Sequence, residues 1–401
     1  MSDSLKIGLL TPGWPGHNTP NGIATAVYHL TMGLKMAGHH PIIVAANIDG
    51  SPPADIPYIQ IIDRPWTIFQ KIRSRLGFAD TSLSITGESL GDAFAEAKAR
   101  HGLDAIIMEE TLGWSHWVIR RKIAPVAVFL HGPWLLHKSI QSDGAPKADS
   151  AREKHEARAM RAAAALISPS KNVLDAVEAA VDVANLPRRV IANSYLPRQT
   201  VPEQLENNQI LFVGRFDYHK GGDTVVEAFR ILHAENADIH LTFAGPDLGL
   251  RQQGGQKISL PEFLKPFPEK TRNAIAVLGR QTSEDLAELR ESHPIAVIAS
   301  RYETFGYTVL EAMAAGQAIV STNVGGPAEV LEDNKTALLV PPGNPSAMAE
   351  ALKRLMEDPA LRHRLGSAAK VHLEAYFHPE TIAADIVQFL QPVLNGDTEE
   401  K

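Results

Sequence analysis

Short apolar runs punctuate the chain, KIGLL from Lys6, PIIVAA from Pro41, DAIIM from Asp104, VAVFL from Val126, ALIS from Ala165 and VIAN from Val190. They are too short for helices, rich in β-branched residues and unalternating, as strands buried on both faces must be. Between them lie stretches of helical period such as ATAVYHLTMGLKMAG, which closes on Gly38 as a helix stop should. Strand, helix, strand in repetition predicts a parallel sheet covered by helices. The pattern breaks in the polar NSYLPRQTVPEQLENNQ, with Pro197 and Pro202, and resumes with ILFVG, IHLTFAG, IAVLG, IAVIAS, AIVST and ALLVP. The expectation is therefore an α/β protein of two Rossmann-like domains facing a central cleft, since ligands bind at the carboxyl ends of strands in such sheets. Residues 1–195 form the first domain, 196–208 a linker and 209–378 the second. Residues 379–401 hold a last helix, PETIAADIVQFLQPVL, that could pack back toward the first domain, and a frayed tail.

Composition changes this picture mainly by exclusion. The 401 residues are 44% hydrophobic and 21% charged, ample for two cores, and the formal charge of −7 argues against a chain that coats nucleic acid. With no cysteine, disulfides, thiolate metal sites and thiol nucleophiles are ruled out, and a reducing cytoplasm fits. No apolar stretch approaches the roughly 18 residues of a membrane span, and MSDSLKIGLL runs straight into a strand without a signal segment. The reading is a soluble chain, peripheral on a membrane at most.

The segment SRYETFGYTVLEAMAAGQAIVSTNVGG, residues 300–326, carries the most chemistry. Glu303 and Glu311 would lie about 12 Å apart along an unbroken helix. If Glu303 sits in the loop ahead of the helix, both carboxylates can reach one bound molecule. The backbone amides of Phe305, Gly306, Tyr307 and Thr308 then stand at a helix start with the positive dipole end behind them, a seat for phosphate. Taken alone, the spacing is equally that of a glutamate-capped helix.

The whole segment closely resembles the signature of family 4 retaining glycosyltransferases, enzymes of the two-domain GT-B fold. The resemblance implies that Glu303 contacts the transferred sugar of a nucleotide-sugar donor and that Glu311 holds the ribose hydroxyls. VGRFDYHKGGDTVVEAF, from Val213, resembles the same family's Gly-Arg followed by Lys-Gly. Arg215 and Lys220 are then the cations that neutralise the leaving diphosphate in place of a metal. In keeping with that, the sequence holds no Asp-x-Asp pair, so no metal and no cofactor are expected. In AVLGRQTSEDLAEL the positions matching the nucleobase contacts are Leu278 and Arg280, and they leave uracil and guanine equally open.

In the first domain the resemblance is thinner. TPGWPGHNTPNGIATAV is a glycine-rich loop that lets backbone approach a phosphate. The family carries paired glycines before its helix, whereas here Asn21 precedes Gly22, which leaves only Gly22 as a donor contact. His131, in LHGPW, matches a histidine that contacts the donor sugar near the reacting centre, and Asn193 resembles an asparagine at the interdomain edge. The implied reaction is transfer of a hexosyl unit from a UDP- or GDP-sugar to a hydroxyl of a sugar, lipid-linked or small-molecule acceptor, with retention. For the acceptor only RPWTIFQKIRSRLGF, residues 64–78, stands out, as a basic amphipathic stretch suited to an anionic membrane or simply to a core-facing helix. Alternatives left open are a nucleotide-sugar epimerase or hydrolase on the same fold, and a nucleotide-sugar-binding protein without catalysis. A dehydrogenase is set aside because no Gly-x-Gly-x-x-Gly occurs.

Overall fold

The computed structural model describes residues 4–14, 22–48, 54–67, 80–138, 147–198, 208–236, 238–251 and 256–396. It divides into two compact units, Met1–Ser194 with His378–Lys401, and Tyr195–Phe377.

The first unit is built on β1 (Lys6–Trp14), β2 (His40–Ile48), β3 (Tyr58–Gln60), β4 (Ala105–Glu109), β5 (Val126–Phe129), β6 (Ala165–Ser168) and β7 (Arg188–Val190). They form one sheet in the order β3-β2-β1-β4-β5-β6-β7, every pair parallel. All residues of β4, β5 and β6 are buried, and the pleat sends neighbours to opposite faces. Ala105 and Ile107 join the core made with Val27, Leu30 and Leu34 of the helix Gly22–Met36 and with Ile382 and Ile386 of the helix Pro379–Asn395. Ile106 and Met108 join the opposite core with Leu90 and Phe94 of the helix Asp80–His101. The apolar runs of these strands, up to Glu109 in β4 and Ser168 in β6, follow from having a helix layer on each side.

Two details differ from the sequence pattern. The run VIAN is strand only up to Val190, because Ile191–Ser194 leave the sheet. β3 escaped notice since three residues with one buried position carry no period.

The second unit contains β8 (Gln209–Val213), β9 (His240–Ala244), the antiparallel pair β10 (Leu250–Arg251) and β11 (Lys257–Ile258), β12 (Ile275–Gly279), β13 (Ile295–Ile298), β14 (Ala318–Thr322) and β15 (Leu338–Val340). Six of these make a parallel sheet in the order β12-β9-β8-β13-β14-β15. Phe212, Phe216, Phe229 and Phe243 fill the core on one side, with Phe212 and Phe243 ring centroids 4.7 Å apart.

In each sheet the strand order reverses once, between β1 and β4 and between β8 and β13. Loops that leave the carboxyl ends of strands on either side of such a reversal diverge and leave room for a ligand. The motif segments leave from here: the loop after β8 begins at Gly214 and the loop after β13 at Ala299, while His131 follows β5 and two glutamates close β4.

Candidate active site

In the second unit the two loops at the β8/β13 reversal are tied together by backbone and charge. Phe216 is fully buried and anchors the first loop. Asp217 takes the Lys220 amide at 2.7 Å and the Arg215 guanidinium at 2.8 Å, so one carboxylate shapes the turn and steadies a cation. Gly221 adopts φ +68°, and a Cβ there would lie 2.0 Å from the Ala299 carbonyl oxygen, which explains the glycine. The Arg301 amide donates to the His219 carbonyl at 2.9 Å. Its guanidinium pairs with both oxygens of Asp223 at 2.8 and 2.7 Å and lies over the Tyr218 ring at 4.1 Å.

This stitching brings Lys220 and Glu303 into a hydrogen-bonded ion pair, 83 residues apart in sequence. The Glu303 side chain is 12% exposed and that of Lys220 24%. Burial pushes the Glu303 carboxyl up, but the charge and hydrogen bond of Lys220, helped by His219 and Ser300, outweigh it and hold the carboxyl below its usual range. Glu303 lies in the loop ahead of the helix Tyr307–Ala314, which carries Glu311. Its carbonyl accepts from the Gly326 amide at 3.0 Å, and Gly325 packs over it at φ +46°, where a Cβ would sit 2.0 Å from that oxygen. Gly325→Ala is expected to lower stability by at least about 2 kcal/mol and to displace the Glu303 backbone. Gly22→Ala, whose Cβ meets nothing, serves as the silent comparison in thermal unfolding.

Gly306, at φ +91°, turns the chain into that helix, with Phe305 buried before it. The Val309 amide closes on the Gly306 carbonyl at 3.0 Å, so the first turn of the helix begins at Gly306. Burial, then the Glu311 charge, pushes the Tyr307 phenol well above its usual range, so it stays neutral. Glu311 is ion-paired with Arg290, a cation only 6% exposed at the end of the helix Ser283–Ser292. Leu278 and Arg280 are exposed where β12 ends, on either side of Gly279. The Gln281 amide donates to the carbonyls of Leu278 at 2.8 Å and Arg280 at 3.2 Å, which fixes this turn.

In the first unit His131 and Asn193 line one small cavity of about 20 Å³ together with Glu109 and residues of the helix Gly22–Met36. The His131 ring stacks on Phe129 at 4.4 Å with planes 6° apart. Burial pushes its pKa down to about 4, so the imidazole is neutral at physiological pH. Glu109, 6% exposed, meets no hydrogen-bonding side chain among the described residues, and burial pushes its carboxyl up to about 7 against the pull of its own amide. Glu110 behaves differently: its two oxygens accept the amides of His131 at 2.9 Å and Gly132 at 2.7 Å. Burial, then the Glu156 charge, pushes Glu110 up to about 8, and these amides pull the other way.

Gly22 opens its helix and is exposed, and the rest of the glycine-rich loop, 15–21, lies outside the described residues. So do residues 68–78 of the basic segment. Within the described part, Arg64 is paired with Asp92 at 2.5 Å rather than displayed as a spare charge.

The sequence reading missed Asp217, Arg290, Arg301, Glu109 and Glu110. Two of them left a trace: Asp217 sits between the cations of the Gly-Arg…Lys-Gly motif, and paired glutamates end an otherwise apolar strand at 109–110. Among the described residues no group of three or more His, Asp or Glu is placed to hold a metal, and no helix is long and apolar enough to cross a membrane.

Residues 20–195 match Glycosyltransferase Family 4, and residues 197–372 match Glycosyl transferases group 1. The chain belongs to the family 4 glycosyltransferases. Both halves of this glycosyltransferase are thus accounted for, and its two parallel α/β sheets are those of the GT-B fold. Glycogen synthase of Mycobacterium tuberculosis is 23% identical over 393 residues, covering 94% of this chain and 92% of the relative. Sucrose-phosphate synthase of Thermosynechococcus elongatus superposes with a TM-score of 0.74 at 22% identity, over 98% of this chain and 100% of the other. HepE of Anabaena, solved in complex with UDP-glucose, gives 0.69 at 18% identity, over 96% and 99%. The family 4 glycosyltransferase described here is an enzyme that uses nucleotide sugars.

Proposed function

We propose that this glycosyltransferase transfers a hexosyl unit from a UDP- or GDP-sugar to an acceptor hydroxyl with retention at the anomeric carbon and without a metal. The observation that carries the reading is the Lys220–Glu303 pair at the β8/β13 reversal, a cation and a carboxylate held together beside a helix start. As the bond from the anomeric carbon to the diphosphate breaks, negative charge grows on the leaving phosphate. Lys220 and Arg215 supply the opposite charge, and the amides from Phe305 to Thr308 supply donors backed by the helix dipole. In the resting protein each cation is occupied by an acid, Lys220 by Glu303 and Arg215 by Asp217. The incoming diphosphate shares these cations with the two carboxylates.

Glu303 takes hydroxyls of the transferred sugar, and Glu311, with one oxygen on Arg290, turns to the ribose. The turn at Leu278 and Arg280 takes the base. On the first unit neutral His131 hydrogen-bonds the sugar, with Asn193 and Gly22 as further donor contacts. The acceptor hydroxyl attacks on the face from which the diphosphate leaves, and the departing phosphate takes its proton. The similarity to a protein solved with UDP-glucose and to a glycogen synthase supports a nucleotide-activated hexose as donor.

Slow transfer to water tests this without a known acceptor. With UDP-glucose or GDP-mannose in excess EDTA, proton NMR is expected to show the sugar released first as the α-anomer, with turnover unchanged by the chelator. First release of the β-anomer, or loss of turnover in EDTA, contradicts the proposal.

A further inference from the structure

The loop that carries His131 is held by two buried acids to which the reaction above gives no part. β4 and β5 are neighbours, with Glu109 opposite Phe129, so the residue after β4 stands beside the point where the chain leaves β5. That residue is Glu110, 1% exposed, and both its oxygens are spent on the His131 and Gly132 amides. Three residues on, Glu156 of the helix Lys147–Ala162 takes the Trp134 amide at 2.7 Å. Glu156 is 2% exposed and also binds the Leu112 amide at 3.1 Å and the Arg152 guanidinium at 2.7 Å. Arg152 in turn lies over the Trp134 ring at 4.4 Å. Leu112, at φ +55°, is in a left-handed conformation that a leucine rarely adopts, so this clamp is maintained against backbone strain.

We propose that Glu110 is a positioning residue for transfer, fixing the main chain of His131 so that the imidazole, stacked on Phe129, has a single setting, with Glu156 bracing the far end of the same loop. The inference rests on His131 acting on the donor sugar. Two amides on the oxygens of one buried carboxyl group remove the freedom of the peptide that bears the ring, and stacking removes the freedom of the ring itself. A displacement of an ångström at such a group costs on the order of a hundredfold in rate. Glu110→Gln is the discriminating substitution, because its NH₂ accepts nothing and leaves one of the two loop amides facing a donor.

The test is a double-mutant cycle between Glu110→Gln and His131→Ala, read as nucleoside diphosphate release from UDP-glucose or GDP-mannose, whichever the wild-type protein turns over. Glu110→Gln is expected to lower turnover ten- to a hundredfold, to leave the affinity for the free nucleoside diphosphate unchanged, and to cost less than twofold when His131 is already alanine. Glu110→Asp, which keeps both acceptors, recovers part of the loss. Should Glu110→Gln fail to fold, Glu156→Gln is read in the same cycle with the same expectation. An undiminished loss in the His131→Ala background, or wild-type turnover in Glu110→Gln, overturns the proposal. Wild-type turnover in His131→Ala instead overturns the role given to His131, on which the proposal stands.

Discussion

Lys220→Ala is expected to reduce donor turnover by about 10²–10³-fold, the loss found when one charge-stabilising group is taken from a developing anion. Two effects add. The diphosphate loses the cation that balances its growing charge, and Glu303 loses the partner that holds its carboxyl below the usual range despite burial. An unpaired, nearly buried carboxylate either repels the incoming diphosphate or takes up a proton. Affinity for the nucleoside diphosphate therefore falls along with turnover. Arg215→Ala should cost less, since Arg215 is 46% exposed and its charge is partly screened. Measured side by side, equal losses in the two variants would argue against the central place given to the Lys220–Glu303 pair.

A second large effect is expected in stability rather than rate. Glu109 has its carboxyl raised by burial from 4.5 to about 7. Between these values the folded chain binds more protons than the unfolded one, so stability falls as pH rises through this window and levels off above it. The full difference corresponds to roughly 3 kcal/mol at pH 8. Glu109→Gln removes the titrating group, so relative to wild type it should gain about that much between pH 4 and pH 8. Urea unfolding of both proteins at the two pH values checks this. Parallel pH profiles would mean that the Glu109 carboxyl is not desolvated as the fold requires.

The parts of this architecture that were legible in the sequence are those dictated by period and by backbone chemistry. Twelve apolar runs marked strands, and eleven of the twelve coincide with strands over most of their length; most are buried on both faces, whereas the edge strand Ile275–Gly279 leaves Val277 and Leu278 exposed. VIAN overlaps a strand only at Val190, since a run that ends in a loop has the same composition as one that stays in the sheet. At the site, Glu303, Lys220 and Gly306 were legible because they fall in two contiguous segments that resemble the family's motifs and follow directly on strand ends. Arg290, Arg301 and Glu110 were not, because a residue that positions another is chosen by distance in three dimensions. Arg290 is 21 residues from Glu311, and Glu110 is 21 from His131. No local pattern connects them, and an arginine or glutamate outside a motif reads as ordinary surface charge until its burial is known.

The central claim is that the loops after β8 and β13 form a seat for the diphosphate of a nucleotide sugar. Thermal unfolding in the presence of UDP, GDP, UDP-glucose and GDP-mannose tests it most directly, because a ligand that binds only the folded chain stabilises it by about 3 kcal/mol at a hundredfold excess over its dissociation constant. A rise in unfolding temperature with one base preferred is expected, with most of that rise lost in Lys220→Ala. No shift with any of the four at millimolar concentration, or a shift that Lys220→Ala leaves intact, would contradict it.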